Sequence, residues 1–428
     1  MSSATAVADY NELVAGDAPA ALEQAHWLLA QFAARGVSFD GEPMASFLRP
    51  HLVARAEWQE LRESGHRLLE LAARVARAAF DGDAGRLCAY LGTPAAEARW
   101  VGLDPGEPDV VLSRLDAFLT PEGPRFIEIN SDAPAGLGYG DVMAEVFREL
   151  PVFRRFAERH AVAYQPSADR VVDALLALWS RRGDPAAPSV AIVDFAHVKT
   201  RADQEILRER IAARGLRCLL ADPRELEIRA GGLWAGPERI DLVYRRAVLQ
   251  ELLEREDEVS AFLGAYRDGL ALFVNSLRCR LSEDKAFFAL LGDEAFAGLM
   301  SEAERGFVER VVPWTRKLEE RRTELVLKPA HGYGGRSVYL GEETPPEAWR
   351  RAIEAGLGQP WVVQERVPIP EEEFPLLGDG GLRFERLKVN ANPFYVAGLE
   401  VGAVTRASRS SVINVSAGGG SAPTFVID

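Results

Sequence analysis

The stretch Leu325-Val326-Leu327-Lys328-Pro329-Ala330-His331-Gly332-Tyr333-Gly334-Gly335 carries the reading of this chain. Its first residues are apolar and β-forming, so they read as a buried strand. A lysine stands at the strand's end and a glycine-rich turn follows. Glycines let backbone N–H groups close around phosphate oxygens where a Cβ would obstruct them, and the lysine adds a point charge for the same oxygens. No Gly-Lys-Ser/Thr triplet closes the turn, so it is not a Walker A loop. Taken alone it is equally an ordinary structural hairpin, and its meaning has to come from what surrounds it. Downstream, Val338-Tyr339-Leu340 reads as its partner strand, Glu347 to Ala355 as a short helix, and Trp361-Val362-Val363-Gln364-Glu365 as another strand.

Working outward, Val110-Val111-Leu112 and Phe126-Ile127-Glu128-Ile129-Asn130 read as strands on either side of the turn Thr120-Pro121-Glu122-Gly123. Residues two apart on a strand share a face. Glu128 and Asn130 therefore offer a carboxylate and an amide oxygen together, a pair suited to Mg²⁺, or to plain hydrogen bonding at a strand end. Residues 165–270 form an α/β block. Val190-Ala191-Ile192-Val193, Leu216 to Leu220 and Ile240 to Tyr244 are its strands, and a helix from Ala202 to Arg214 is closed by Gly215. Strand–helix–strand order implies a parallel, Rossmann-like sheet, and the missing GxGxxG argues against a dinucleotide. Residues 1–97 read as mostly helical, with Trp58, Leu61, Leu68, Leu69, Ala72, Val75, Ala76 and Ala79 at helical spacing as a core stripe. The Pro/Glu-rich stretch 368–375 reads as a surface loop. Near the end, Arg406, Arg409 and Asn414 precede the triple glycine 418–420, a place where a basic group beside open backbone could hold a developing anion, or where arginines are merely exposed.

The 428 residues exceed one ordinary core, so two or three domains are expected, and 47% hydrophobic with 27% charged content is globular. A formal net charge of −14 argues against a nucleic-acid footprint. Cys88, Cys218 and Cys279 are widely separated with no CxxC, which supports neither a disulfide framework nor zinc. No secretory signal and no apolar run of transmembrane length is visible, so a cytoplasmic protein without a membrane partner is expected.

The motifs gain weight from their joint order, which resembles the circularly permuted ATP-grasp superfamily: eukaryotic-type glutathione synthetase, glutathionylspermidine synthase and bacterial type 2 proteins. Arg114-x-Asp116 followed by Phe126 to Asn130 resembles a substrate arginine and a magnesium-binding strand. Asp241-Leu242-Val243-Tyr244-Arg245-Arg246 resembles a strand ending in a substrate arginine, and Asn275 to Lys285 the nucleotide-lysine segment. Leu327-Lys328-Pro329 with its hairpin resembles the phosphate-covering loop, and Gln364-Glu365-Arg366 the adenine hinge. Val404-Thr405-Arg406 and Asn414 to Ser421 resemble the closing segment, the last closest to the type 2 proteins. The likeness covers roughly residues 105–428. It departs from glutathione synthetase where that enzyme has a loop glutamate as third magnesium ligand, replaced here by Gly332, and a lysine, replaced by Ser408. Glutathione is therefore not the expected product.

The resemblance implies an α/β fold of permuted ATP-grasp lobes with an inserted Rossmann-like parallel-sheet domain and a helical N-terminal region. Its divisions are 1–97, 98–164 with the metal strand, 165–270 for the Rossmann-like substrate domain, and 271–428 with the phosphate loop, hinge and closing segment. It implies ATP and Mg²⁺ as cofactors, with Glu128 and Asn130 on the metal. Lys285, Lys328 and the loop Gly332, Gly334 and Gly335 would serve the phosphates, and Gln364 and Glu365 the adenine edge. Arg406 would steady an acyl phosphate, and Arg114 and Arg246 a substrate carboxylate. A carboxylate–amine ligase is the expected function, with small-molecule acid and amine as partners. A nucleotide-binding regulator and a small-molecule kinase are the alternatives, and the oligomeric state is left open, a homodimer included.

Overall fold

The computed structural model describes all residues of the chain except 107, 185, 318–324, 332–336, 342, 379 and 416–418. Its largest element is an eight-stranded sheet whose main path runs His51–Ala54, Gly420–Ile427, Leu399–Ser408, Gly381–Val396, Leu112–Thr120, Gly123–Asn130. All neighbours on this path are antiparallel except Gly420–Ile427 with His51–Ala54. One face is covered by the helix Arg55–Ala79, whose Trp58, Leu61, Leu68, Leu71, Ala72, Val75 and Ala76 are buried while Leu69 and Ala79 are only partly so. Each fully buried side chain of this kind contributes about 1.5–3 kcal/mol of transfer free energy. Gly65 lets the helix cross the sheet: a Cβ there would stand 1.9 Å from the Tyr395 hydroxyl, which donates to the Leu61 carbonyl. The N-terminal region is helical over Ser3–Ala15 and Ala18–Ala34, but it also supplies His51–Ala54 to the large sheet.

Residues 190–274 carry a four-stranded parallel sheet in the order Leu272–Val274, Leu242–Arg245, Val190–Val193, Cys218–Ala221. The crossover between the last two is the helix Arg201–Ala213, followed by Gly215 at φ +80°. The sheet takes its outer strand from beyond residue 270. Chain order places the crevice between Val190–Val193 and Leu242–Arg245, where successive crossovers leave in opposite directions and where ligands of open α/β sheets sit. A joint ties this unit to the large sheet: both carboxylate oxygens of buried Asp203 accept from the backbone N–H groups of Gly136, Gly138 and Tyr139 at the start of the helix Leu137–Glu149. This satisfies orphan donors and places negative charge at a helix N-terminus.

A third, smaller sheet runs Thr315–Lys317, Trp361–Glu365, Leu325–Pro329, Tyr339–Leu340 and is backed by the helix Pro346–Gly356 through Trp349, Ala352 and Ile353. The stretch 368–375 is not a surface loop. Glu371–Gly378 is a strand paired with Gly381–Val396, with Phe374, Pro375 and Leu376 buried. Acidic content misleads there because Glu372 is half-buried and paired: it meets Arg49 at 2.7 Å and His51 at 3.2 Å. Burial would raise its pKa, but those two partners hold it down at about 2. Pro375 costs no ladder bond, since its carbonyl accepts from Leu48 N–H on the outer side.

Candidate functional site

The large and small sheets face each other across a cavity of about 850 Å³ that also reaches the carboxyl ends of the parallel strands. Arg114, Glu128, Asn130 and Arg406 line it from the large sheet, Lys328, Gln364 and Glu365 from the small one, and Arg246 and Lys285 from between. Gly332, Gly334 and Gly335 lie outside the described residues.

The hairpin Leu112–Thr120/Gly123–Asn130 builds the acidic wall. Its register shifts between Asp116 and Ala117: Ala117 faces Phe126, but Asp116 faces Glu128. The extra residue, Ile127, turns the alternation over, so that Ile127 and Glu128 both reach the cavity and Glu128 lies beside Asp116. Asp116 is the hub of this wall. It takes the Arg114 guanidinium at 2.7 Å, that of Arg406 at 3.1 Å and the Asn130 amide at 3.1 Å, with a further bond to Glu128. Burial alone would raise its pKa; the two arginines outweigh that and bring it to about 2. Asp116 is thus ionised at neutral pH. Burial, then the nearby Arg114, lowers the pKa of Arg406. Among the described residues no three His, Cys, Asp or Glu side chains cluster as metal ligands. The donors present are two carboxylates, Asp116 and Glu128, and the Asn130 carbonyl oxygen, whose amide nitrogen is already used. This all-oxygen set suits a hard cation that keeps several waters, as Mg²⁺ does.

The basic wall is built differently. Lys328 is 5% exposed and its ammonium is held by neutral oxygens, Gln364 Oε1 at 2.9 Å and the Ile127 carbonyl at 3.2 Å. Burial lowers its pKa to about 8 against the opposing pull of the Glu128 carboxylate, and the neighbouring charge of Lys285 adds to the fall. Lys285 approaches Glu128 at 3.6 Å. The Gln364 side chain is fixed at both ends, its nitrogen donating to Thr315 Oγ1. The Glu365 carboxylate accepts from Arg125 at 2.8 Å and from Trp314 N–H. These contacts tie both side chains, so an adenine hinge here would rest on backbone groups.

Two adjacent arginines part company at the end of Leu242–Arg245. Arg245, wholly buried, is bound to Asp132 at 2.5 Å and to the Ala247 carbonyl, and braces the fold. Arg246 lines the cavity, and its Nη1 donates to the carbonyls of Ala133 and Pro134, not to Asp241. Arg114 donates to the next carbonyl of that turn, Ala135, at 3.3 Å, while also pairing with Asp116. Both arginines thus hang on one turn between the strand Gly123–Asn130 and the helix Leu137–Glu149. Two cavity residues escaped the sequence as site candidates. Asp116 is visible there only as an arginine's neighbour, because the bulge that sets it beside Glu128 has no sequence signature. Asp194, directly after Val190–Val193, has no motif at all. Burial raises its pKa to about 6 against the opposing pull of Arg246, while Phe195 N–H and the Gln204 amide hold its oxygens.

No family model matches the chain. Over 331 residues it is 26% identical to uncharacterized proteins of Mycobacterium bovis and Mycobacterium tuberculosis, an alignment covering 71% of this chain and 57% of theirs. An uncharacterized protein of Mycobacterium leprae is 24% identical over 327 residues, covering 71% and 56%. The chain thus spans little more than half the length of the curated relatives it matches. Among solved structures, a glutathione synthetase-like effector from Globodera pallida, in its apo form, superposes with a TM-score of 0.63 at 11% identity, over 96% of this chain and 98% of that one. The chain therefore has a glutathione synthetase-like fold. Among the described residues no helix is long and apolar enough to cross a membrane.

Proposed function

We propose that this protein is an ATP- and Mg²⁺-dependent ligase that joins a small-molecule carboxylate to an amine through an acyl phosphate. The motif order is that of permuted ATP-grasp lobes, with the parallel-sheet unit inserted as a substrate domain. The observation that carries the reading is one cavity with an all-oxygen donor set that includes the ionised Asp116 on one wall, two lysines facing it and arginines beyond. Glu128 and Asn130 would hold Mg²⁺, with Asp116 fixing the Asn130 amide beside them, and the ion would supply charge neutralisation to the transferring phosphoryl group. Lys285 and Lys328 bind nucleotide phosphates as point charges. Arg406, beside the donor set, stabilises negative charge on the acyl phosphate and on the tetrahedral oxyanion that follows amine attack. Arg114 and Arg246, hung on the turn 133–135, orient the acid substrate's carboxylate. No protein nucleophile is required, because phosphoryl and acyl transfer here depend on positioning and electrostatics.

The test is ADP and phosphate release, measured with ATP, Mg²⁺ and a panel of amino acids, short peptides and polyamines. A ligase releases both only when acid and amine are present together. Phosphate retained on one substrate would make the protein a kinase instead, and nucleotide binding without turnover across the panel would make it a regulator.

A further inference from the structure

Lys285 and Lys328 come from segments far apart in sequence and carry like charge, which opposes their approach and adds to the lowering of the Lys328 pKa by burial. Glu128, 3.6 Å from Lys285, offsets part of that repulsion inside the cavity, and a second contact joins the two segments from behind. Asp284, next to Lys285, is 3% exposed, and its Oδ2 lies 2.6 Å from Nδ1 of His331, three residues after Lys328. Among the described residues that oxygen makes no hydrogen bond, so the His331 ring is met as a close contact. The second Asp284 oxygen accepts from Ala286 N–H and fixes the start of the helix Ala286–Leu291. Nε2 of His331 lies 3.2 Å from the Gly92 carbonyl, so the ring is held on its far side as well. Arg280 approaches Nδ1 at 3.1 Å and is itself paired with Glu97 at 3.2 Å. Between the two side chains, Lys285 N–H donates to the Ala330 carbonyl at 3.2 Å. Neither Asp284 nor His331 lines the cavity, whereas both lysines do.

We propose that the Asp284–His331 pair is a positioning clamp that sets the spacing of the two lysines before a nucleotide arrives. It rests on the nucleotide-binding reading above. The clamp joins the two lysine-bearing segments from behind, so the phosphates do not have to bring two repelling cations together on binding; that ordering cost is met in the folded protein. Only the phosphate end of a nucleotide benefits, because the clamp touches nothing on the hinge strand Trp361–Glu365.

Calorimetric titrations of MgADP and of adenosine, with melting curves alongside, test this on wild type, His331→Ala, Asp284→Asn and the double variant. His331→Gln replaces His331→Ala if the alanine variant does not fold. Each single change is expected to weaken MgADP about tenfold while leaving adenosine within about twofold, and the double variant to be no worse than the weaker single, the non-additivity of one shared contact. MgADP affinity unchanged in both singles, equal losses for MgADP and adenosine, or additive losses in the double would each overturn the clamp. Wild-type protein that binds neither ligand would overturn the nucleotide reading itself, an outcome distinct from any difference among variants.

Discussion

The two walls of the cavity hold their charges in opposite ways. On the large sheet, Asp116 is held by Arg114, Arg406 and the Asn130 amide, so its charge is answered several times over within the protein. On the small sheet, buried Lys328 rests on two neutral oxygens, and burial has lowered its pKa to about 8. The first arrangement is a finished electrostatic network whose geometry is set before any ligand arrives. The second is a charge kept at a cost, since burial, with the like charge of Lys285, outweighs the pull of the Glu128 and Asp116 carboxylates. A wall of the first kind is stable as it stands; a wall of the second kind would gain from an anion, as the nucleotide proposal requires.

The largest effect should come from breaking the finished network. Asp116→Asn keeps the shape but leaves two buried guanidiniums facing a neutral amide. Loss of one partner from such a buried cluster costs about 3–5 kcal/mol. Denaturant unfolding should show that loss, and Mg²⁺ should no longer tighten ADP binding to whatever fraction folds. A variant as stable as wild type would mean that Arg114 and Arg406 are not held by this carboxylate.

Lys328→Ala should behave in the reverse sense. Removing a charge held at a cost should leave stability nearly unchanged, while a charge-assisted contact to phosphate worth about 1.5–3 kcal/mol disappears. MgADP affinity should fall on the order of 10- to 100-fold. If stability falls and affinity holds, the lysine belongs to the fold and the comparison of walls fails.

The same lysine gives a pH signature with two opposite signs. Its pKa drops from 10.5 to about 8 in the folded protein, so it is charged below pH 8 and neutral above. MgADP affinity should therefore weaken as pH rises past 8, by up to about tenfold per unit, and Lys328→Ala should not show this slope. Between pH 8 and 10.5 the unfolded chain binds this proton and the folded one does not. The lysine's contribution to folding stability therefore grows as pH rises through that window. Parallel affinity slopes in wild type and variant would assign the pH dependence to other groups.

What was legible in the sequence follows the same division. Lys328, Gln364 and the parallel strands announce themselves through apolar runs and turn residues, which local propensity governs. The acidic wall depends on register. Counting back from the turn 120–123 pairs Asp116 with Ile127; only the bulge moves Glu128 opposite it, and no residue type marks that bulge. The strand Glu371–Gly378 was hidden for a related reason. Its glutamates look like solvent-facing charge until Arg49 and His51, over 300 residues away, are folded against one of them. Short-range pattern reveals elements; charge partners of long sequence separation become visible only in the fold.

The smallest expected effect concerns the hinge. Glu365 stands at the end of Trp361–Glu365, where sequence order suggests adenine contact. Its carboxylate, however, is half exposed and turned to Arg125 and Trp314 N–H. Exposed pairs of this kind are worth about 0–1 kcal/mol. If the adenine edge is read by backbone groups, Glu365→Ala should cost at most that much stability and leave the preference for ADP over GDP intact. The Glu365 N–H is already given to the Trp314 carbonyl at 2.7 Å, which fixes the strand's path independently of the side chain. Competition titrations of ADP against GDP on the variant decide it. A collapse of the preference, with the melting curve unchanged, would show that the carboxylate leaves Arg125 to meet the base and that the hinge reads nucleotides with a side chain.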